Sequence, residues 1–260
     1  MNTTVKISRT TDKLKSLSIT IGLIAFFYVS FTSLNLDISK FISRTSDAGK
    51  VISKLMTVDF SDILTILSAM LSSAAMAVCG LFIGFIISII LSFLAATNIA
   101  PNGVLAAFIK GSVAVIRAVP ALVWILMVVA SIGFGSTAGM IGLVISAVGY
   151  LTKAFTASIE ELGSDIIEAL RTTGASWFTI VVKGLIPSSV SSFTSWSAIK
   201  LEIGIAESIN LGMVGVGGIG SLLMKSLGKY DYASISTIIV VIFITMLIVE
   251  ILINKLKKSI

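Results

Sequence analysis

The sequence predicts an all-α membrane protein with six transmembrane helices. Hydrophobic residues make up 56% of the 260 positions, charged residues make up only 12%, and the mean hydropathy is +1.06. Soluble domains contain about 25% charged residues. The apolar residues also form long runs without charge, and about 20 such residues in a helix cross the ~30 Å hydrocarbon core of a bilayer. Composition and run length together therefore indicate an integral membrane protein.

The charge-free runs define the predicted spans. The runs at 63–109 and 118–152 are each too long for a single crossing. The stretch ATNIAPNG at 96–103 ends the first helix of one run, and GFGS at 133–136 divides the other run into two crossings. The six predicted spans are 16–36, 63–95, the two halves of 118–152, 188–210 and 232–252.

The basic residues predict the orientation of these spans, because Lys and Arg are enriched in cytoplasmic loops. With residues 1–15 in the cytoplasm, twelve basic residues lie inside and six lie outside. The inside residues are Lys6, Arg9, Lys13, Lys15, Lys110, Arg117, Lys153, Arg171, Lys183, Lys255, Lys257 and Lys258. The outside residues are Lys40, Arg44, Lys50, Lys54, Lys225 and Lys229. We therefore expect a multi-pass protein of the cell membrane, in contact with lipid, with both termini in the cytoplasm.

Residues 37–62, which this topology places outside, carry an amphipathic pattern. Four basic residues balance four acidic residues, and apolar residues recur at helical spacing from Ile38 to Ile42 and from Val51 to Leu55. This pattern predicts a short helix that lies on the membrane surface. The first apolar run is too long for a cleaved signal peptide, and no small-residue cleavage site follows it.

Composition also excludes several functional classes. The net charge of +6 does not indicate nucleic-acid binding, because the basic residues lie between apolar runs instead of forming a patch with aromatic residues. The chain has no histidine, and its single cysteine, Cys79, lies within an apolar run. We expect no catalytic residue, no metal site and no cofactor on this chain.

A polar segment interrupts the apolar sequence between the fourth and fifth spans. It reads EALRTTGASWFTIVVKGLIPSSV at 168–190. Residues 165–180 predict two helices joined by a turn, because Gly174 can adopt the positive φ that ends a helix and Ser176 can cap the next one. Pro187 suits the first turn of the fifth span, where no intrahelical N–H bond is lost. A plain polar loop is the alternative interpretation.

This segment resembles the cytoplasmic motif of ABC importer permeases, which is Glu-Ala-Ala, three residues, Gly, nine residues and Ile-x-Leu-Pro. The matching positions are Glu168, Ala169, Gly174, Ile186 and Pro187. The resemblance implies a type I ABC importer permease fold, in which the loop 159–187 forms a coupling helix that docks into a groove of the ATP-binding subunit. Leu170 stands where the motif has its second Ala, and Gly184 stands where it has Ile.

Three further segments are similar to phosphonate-type permeases: RAVPALVW at 117–124, GYLTKAFTASIE at 149–160 and LGMVGVGGIG at 211–220. The resemblance implies a translocation pathway for phosphonate or a related small oxyanion such as phosphite or phosphate, in a prokaryotic inner membrane. Four positions differ from the usual pattern, which has Glu, His, Glu and Arg. These positions are Ala121, Ser146, Ala157 and Ala206.

The same resemblance implies partners. Two ABC ATP-binding subunits would hold ATP and Mg²⁺ and carry out hydrolysis, because this chain has no Walker motif. An extracytoplasmic solute-binding protein would deliver the substrate. We expect a homodimer, because six spans form half of the usual importer core and the chain shows no internal duplication.

The fifth span contains the clearest candidates for the translocation pathway. Lys200, Glu202 and Glu207 are ionisable residues at membrane depth, where such groups normally face a cavity or a partner. Gly204 shares a face with Lys200 and Glu207, and Glu202 points roughly the opposite way. Lys200 either faces a dimer axis and the anion or pairs with a carboxylate in the bundle. At the inner end of the third span, the tentative pathway residues are Arg117 and Pro120.

The glycine run at 215–220 has the spacing of a dinucleotide-binding fingerprint, but no βαβ pattern surrounds it. We expect a close-packed turn near the outer mouth of the pathway instead. The residues of this extracytoplasmic loop or gate are Gly215, Gly217, Gly218 and Gly220.

Three other functional classes are compatible with a membrane protein. A channel requires a pore ring or a filter, and a membrane enzyme requires clustered nucleophiles or metal ligands. The main alternative is a secondary transporter, since broken helices and buried charges also suit that class. Dependence of uptake on a separate ATPase distinguishes it from an ABC importer.

Overall fold

The computed structural model describes residues 10–34 and 37–259, and these residues form helices and short connections. The helices are α1 (Thr10–Ser33), α2 (Ile38–Leu55), α3 (Ile63–Ala95), α4 (Gly103–Ala118), α5 (Ala121–Ile132), α6 (Ser136–Glu161), α7 (Asp165–Thr172), α8 (Trp177–Thr179), α9 (Ile186–Leu211), α10 (Gly218–Gly228) and α11 (Tyr232–Ser259). The chain divides into two compact units, Met1–Ser53 and Lys54–Ile260. The predicted all-α class is confirmed in the described residues.

The first unit contains α1 and most of α2. The helix of the predicted first span begins at Thr10 and ends at Ser33. The helix predicted within 37–62 is also present, as α2. Residues 1–9, with Lys6 and Arg9 of the orientation argument, lie outside the described residues, as do 35 and 36 at the end of that span.

The centre of the second unit is formed by α3, α6 and α9. The ring of Phe155 on α6 stacks on that of Phe193 on α9, with 4.2 Å between centroids. Helices α3 and α6 approach closely because small residues line their contact: a Cβ on Gly84 would lie 2.5 Å from the Cβ of Ala147. Close packing of small residues is a main source of helix association in membranes.

The predicted third crossing differs from the structure. Helix α4 ends at Ala118, and α5 follows at an angle of 90°. Pro120 explains the break, because it disfavours the helical conformation of the preceding residue, and Val119 is extended with φ −90° and ψ 127°. The 12 residues of α5 span about 18 Å, less than the hydrocarbon core. Helix α5 alone is therefore too short to cross, and only α4 and α5 together are long and apolar enough for a span.

The fifth span begins earlier than the sequence predicts. Its helix runs from Trp177 to Val216 through a π-helical stretch, Ile180–Leu185. Pro187 lies in the first turn of α9, as the sequence predicts, but the π-helical stretch precedes that turn directly. The N–H of Ile186 bonds the carbonyl of Val181, and the Ser188 hydroxyl donates to the Gly184 carbonyl at 2.9 Å. This wider turn accommodates a proline that has no N–H to donate.

The sequence predicts a loop at the glycine run, and the structure has a sharp bend between two helices there, with non-helical backbone at Val214 and Gly215. Gly215, Gly217 and Gly218 have φ of +93°, +107° and +70°, conformations that favour glycine. Helix α10 begins at Gly218, bent by 54° from the preceding helix. Gly220 lies inside α10, where a Cβ would be 1.9 Å from the Ile209 carbonyl oxygen. The predicted close packing is present, within a helix pair rather than a loop.

A carboxylate stabilises the start of α11. Asp231 accepts hydrogen bonds from the Ser234 hydroxyl at 2.7 Å and from the Ser234 N–H at 3.2 Å. These bonds, led by that of the hydroxyl, hold the pKa of Asp231 below its ordinary value.

Six spans are the largest number that these helices allow. Among the described residues, four helices are long and apolar enough to cross a membrane, and the number is six if each of the two bent pairs forms one span. Residues Lys13–Ser33, Ile63–Ala95, Ser136–Glu161 and Tyr232–Lys258 form the four straight candidates.

Candidate functional site

The polar segment after α6 folds as the predicted helix, turn and helix. Helix α7 ends where Gly174 adopts φ +76°. The N–H of Gly174 bonds the Arg171 carbonyl at 2.9 Å, and the N–H of Ala175 bonds the Leu170 carbonyl at 3.2 Å, which is a Schellman ending. The Ser176 side chain accepts from the N–H of Thr179 and caps the next helix. The plain-loop alternative therefore does not describe this segment.

Helix α7 has one buried face and one free face. Ile167 is 1% exposed and belongs to a core cluster with residues of α6 and α9. Leu170 packs against Gly184, where a Cβ would lie 2.6 Å from Leu170 Cδ1. Glu168 and Ala169 are exposed. The two residues that open the motif are thus available for contact with another protein, while the neighbouring apolar residues fix the helix in place.

Two hydrogen bonds connect the region around α7 to the segment between α3 and α4. The Trp177 indole N–H donates to the Ile99 carbonyl at 2.7 Å. The Asn98 amide donates to the Ile159 carbonyl at 2.8 Å. These bonds attach α8 and the end of α6, the elements on either side of α7, to the connection between α3 and α4.

The last two matching residues of the motif lie in the long helix that follows. Ile186 is partly buried and packs against the same core cluster, and Pro187 is exposed. These two residues are not part of α7. They follow directly after the π-helical stretch that leads into the fifth span.

Lys200 pairs within the bundle, one of the two arrangements that the sequence leaves open. Its Nζ lies 2.9 Å from Glu207 Oε2 and 2.9 Å from Ser146 Oγ. The Ser146 hydroxyl donates to the same carboxylate at 3.1 Å. Lys200 is 3% exposed, whereas the Glu207 side chain is 23% exposed. The ion pair lies within α9, and the Ser146 hydroxyl joins it to α6 by hydrogen bonds to both partners.

This ion pair borders an open cavity of about 220 Å³, which we call the Lys200 cavity. Arg117, Pro120 and Trp124 lie on its other side, and Trp124 is fixed by a 3.0 Å bond from its indole N–H to the Ile116 carbonyl. The full lining is Ile116, Arg117, Val119, Pro120, Ala121, Trp124, Ser146, Gly149, Tyr150, Lys200, Ile203 and Glu207. Four predicted pathway residues therefore converge.

Two predicted pathway residues do not join this cavity. Gly204 is buried, and a Cβ on it would make ordinary contact with Ala77 of α3 at 3.7 Å. Glu202 is partly exposed and forms no hydrogen bond or ion pair with the residues that the structure describes. Glu202 does not line the Lys200 cavity.

A second polar cluster lies at the α7 end of α6. Glu160 Oε1 accepts from Lys110 Nζ at 2.7 Å and from the N–H and hydroxyl of Thr97, each at 2.8 Å. One carboxylate thus connects α6 to α4 and to the residues that follow α3. These contacts hold the three parts of the chain together at the end of the bundle where α7 lies.

This cluster borders a larger open cavity of about 320 Å³, the Glu160 cavity. Its polar residues are Lys110, Arg117, Thr152, Lys153, Thr156 and Glu160, and its apolar residues are Ala95, Val113, Ala114 and Ala157. Arg117 borders both cavities and forms no ion pair within the described part of the chain.

Sequence reasoning misses the Glu160 cluster. The spacing argument that places Lys200 and Glu207 on one helical face also places Lys110 with Arg117 and Lys153 with Glu160, at the same seven-residue interval. Applied to all ionisable residues of the spans, the spacing marks Lys110 and Glu160 as candidates, but it does not reveal their contact, because they lie on different helices.

The glycine run packs against α3 rather than against a ligand. The N–H of Ile219 donates to Ser73 Oγ at 3.0 Å, and a Cβ on Gly218 would lie 2.2 Å from the same oxygen. No strand occurs among residues 10–34 and 37–259, so these residues lack the βαβ unit of a dinucleotide site.

Comparison with known proteins places the chain among transport proteins. The chain is 28% identical over 236 residues to the phosphite transport system permease protein PtxC of Stutzerimonas stutzeri, covering 91% of this chain and 84% of that protein. It is 31% identical over 183 residues to the phosphate-import permease protein PhnE of Mycolicibacterium smegmatis, covering 70% of this chain and 34% of that protein.

A solved structure has the same fold. A chain of the methionine ABC transporter MetNI, in an inward-facing conformation, matches with a TM-score of 0.69 at 20% identity, covering 78% of this chain and 99% of that one. The family described as binding-protein-dependent transport system inner membrane component matches residues 88–259, which include both cavities and α7. The chain belongs to this family of inner-membrane transport components.

Proposed function

We propose that this chain is the permease subunit of an ATP-binding-cassette importer and forms the translocation pathway for a small phosphorus oxyanion: phosphonate, phosphite or phosphate. The observation that carries the substrate class is the charge of the two cavities. Four cationic side chains border them, Lys110, Arg117, Lys153 and Lys200, against two carboxylates. A route with excess positive charge favours anions.

The ion pairs in each cavity show which positive charges are available to an anion. Lys110 and Lys200 are each neutralised by a carboxylate, at 2.7 Å and 2.9 Å. Arg117 and Lys153 form no ion pair with the described residues. The unpaired positive charge thus lies on exposed side chains at the cavity walls, where an anion can approach without a buried ion pair having to break.

Similar proteins support this substrate class. The two relatives described above are named for phosphite and phosphate transport. A permease does not need to bind its solute tightly, because in a binding-protein-dependent system the binding protein selects the solute before the permease receives it.

Family membership implies an ATPase and a binding protein as partners. In the arrangement that we propose, two copies of this chain form the membrane core, two ATP-binding subunits lie in the cytoplasm, and one extracytoplasmic binding protein docks on the opposite side. Both termini are cytoplasmic, and ATP and Mg²⁺ are bound by the ATPase. A purified complex with one copy of this chain per pair of ATPases contradicts the homodimer.

The exposed face of α7 is the contact with the ATPase in this proposal. Glu168 and Ala169 project from a helix whose opposite face is anchored through Ile167 and Leu170. Trp177 of α8, the helix after α7, bonds the Ile99 carbonyl. In this proposal, movement of the ATPase passes from α7 through α8 to the connection between α3 and α4, and then to Lys110 on the wall of the Glu160 cavity.

The substrate class is tested on the partner binding protein. Its thermal unfolding is measured with phosphonates, phosphite, phosphate, sulfate and amino acids. A ligand at 100 times its Kd stabilises the folded protein by about 2.7 kcal/mol. We expect stabilisation by a phosphorus oxyanion. Stabilisation by uncharged or cationic compounds alone contradicts the substrate class and leaves the family assignment intact.

A further inference from the structure

The Glu160 cavity contains hydroxyl groups that the fold itself does not use. Thr152 and Thr156 lie one turn apart on α6, and they are 1% and 6% exposed. Neither hydroxyl forms a hydrogen bond with any described residue. Buried threonines in helices usually donate to a carbonyl one turn earlier, as Thr237, which is 0% exposed, does to the Ala233 carbonyl at 3.0 Å. An unpaired buried hydroxyl is costly, so two adjacent ones on a cavity wall indicate a ligand with acceptor atoms.

The charged residues of this cavity indicate the sign of the ligand's charge. Lys110 is held by Glu160 at 2.7 Å, and Glu160 also accepts two hydrogen bonds from Thr97. The acidic charge of the cavity is therefore already engaged. Lys153 and Arg117 remain without an ion pair among the described residues. The combination of free cations and free hydroxyl donors suits an anion with several oxygen acceptors.

The remaining wall limits the size and type of the anion. Its apolar residues, Ala95, Val113, Ala114 and Ala157, are all small, and no aromatic side chain lines the cavity. The volume of about 320 Å³ corresponds to about ten water molecules. The cavity accepts a small tetrahedral oxyanion with part of its hydration shell and offers no surface for stacking or for a long apolar chain.

We propose that the Glu160 cavity is a binding site for a tetrahedral phosphorus oxyanion, held by Arg117 and Lys153 and by the hydroxyl groups of Thr152 and Thr156. The ligand class rests on the proposed function. The site lies at the α7 end of the bundle, next to the hydrogen bonds of Glu160 with Lys110 and Thr97. The permease itself therefore holds the anion at the end of the pathway, beyond the Lys200 ion pair.

Ala114 provides a direct test of this site. It lies on the cavity wall and is exposed, and it is one turn from Lys110 on α4. Ala114→Glu places a carboxylate among the cations, whereas Ala114→Gln adds the same volume without charge. Thr152→Val removes one hydroxyl at nearly constant volume and breaks no hydrogen bond within the described chain.

The measurement is binding of radiolabelled inorganic phosphate to the complex of permease and ATPase in nanodiscs, without the binding protein and at constant chloride concentration. We expect saturable binding that methylphosphonate displaces. Ala114→Glu weakens it by about tenfold or more through repulsion of the anion, and Thr152→Val weakens it by about tenfold through loss of a charge-assisted hydrogen bond. Ala114→Gln retains the wild-type affinity. ATPase association, measured in parallel, shows that each variant is folded.

Two results overturn the proposal: absence of saturable phosphate binding to the wild-type complex, or equal affinity in Ala114→Glu and Ala114→Gln. Uptake with the binding protein present separates this failure from failure of the proposed function. A complex that imports a phosphorus oxyanion but does not bind phosphate at this cavity contradicts the site alone. A complex that imports none of these oxyanions contradicts the proposed function.

Discussion

Leu170 and Gly184 occupy complementary space between α7 and the helix that follows it, because a Cβ on Gly184 would lie 2.6 Å from Leu170 Cδ1. These are two positions at which the segment departs from the coupling motif that it resembles, with Leu in place of Ala and Gly in place of Ile. The large residue lies on α7 and the small one on the helix facing it. The two departures therefore compensate for each other in one packed contact.

This contact predicts a double-mutant cycle. Gly184→Ile forces a side chain into Leu170 and should destabilise the segment by about 1–3 kcal/mol, while Leu170→Ala should leave a gap. The double variant should recover most of the loss, with a coupling energy of about 0.5–3 kcal/mol. Unfolding of the purified permease and its affinity for the ATPase are the readouts. Strictly additive effects contradict the compensation.

Gly174 should be required for its backbone conformation. Its φ of +76° costs a residue with a side chain roughly 1–2 kcal/mol, and a Cβ would meet open space, so crowding plays no part. Gly174→Val should weaken ATPase association and uncouple hydrolysis from uptake. Gly174→Asn, the control, should keep more of the ATPase association and of the coupling, because Asn tolerates positive φ. If both variants transport at the wild-type rate, the ending of α7 does not matter for coupling.

The contact of Glu168 with the ATPase is predicted to be electrostatic. The residue is exposed and lies in the first turn of α7, where its charge is favourable to the helix dipole. Glu168→Gln should therefore reduce ATP-coupled uptake while membrane insertion remains normal. Glu161→Gln, which changes another exposed carboxylate at the end of α6, is the matched control. Equal effects of the two variants argue against a specific role for Glu168.

The Lys200–Glu207 pair should show unequal single variants. Removing one partner of a buried pair costs about 3–5 kcal/mol. Glu207→Gln leaves the charge of Lys200, which is 3% exposed, whereas Lys200→Met leaves the more accessible Glu207. We expect Glu207→Gln to be the more destabilising change in SDS-induced unfolding, and the double variant to be close to wild type. A double variant as unstable as the sum of the singles shows that the pair is not coupled.

Much of this fold can be predicted from the sequence, because bilayer thickness determines the length of a span. The runs without charge locate α3, α6 and α11, and Gly174 and Ser176 mark the helix ends around α7. The bend between α4 and α5 could have been read from Pro120. The π-helical stretch before Pro187 could not, since it depends on how the wider turn packs against the core cluster.

The candidate site can be predicted only in part, because its contacts join residues from different helices. The spacing of Lys200 and Glu207 indicates a common face, but whether Lys200 pairs or stays free depends on Ser146, which comes from another helix. The Glu160 cluster combines residues from three parts of the chain, 97, 110 and 160. Spacing within one helix cannot reveal such a contact.

The most direct test of the account is uptake into proteoliposomes that contain this chain, its ATPase and the binding protein. Radiolabelled phosphite, phosphate and methylphosphonate are supplied outside, with ATP inside. The account predicts uptake of a phosphorus oxyanion that requires all three proteins and ATP hydrolysis, and that Gly174→Val reduces. Uptake by this chain alone, driven by an ion gradient and unaffected by omission of the ATPase, would identify a secondary transporter and contradict the account.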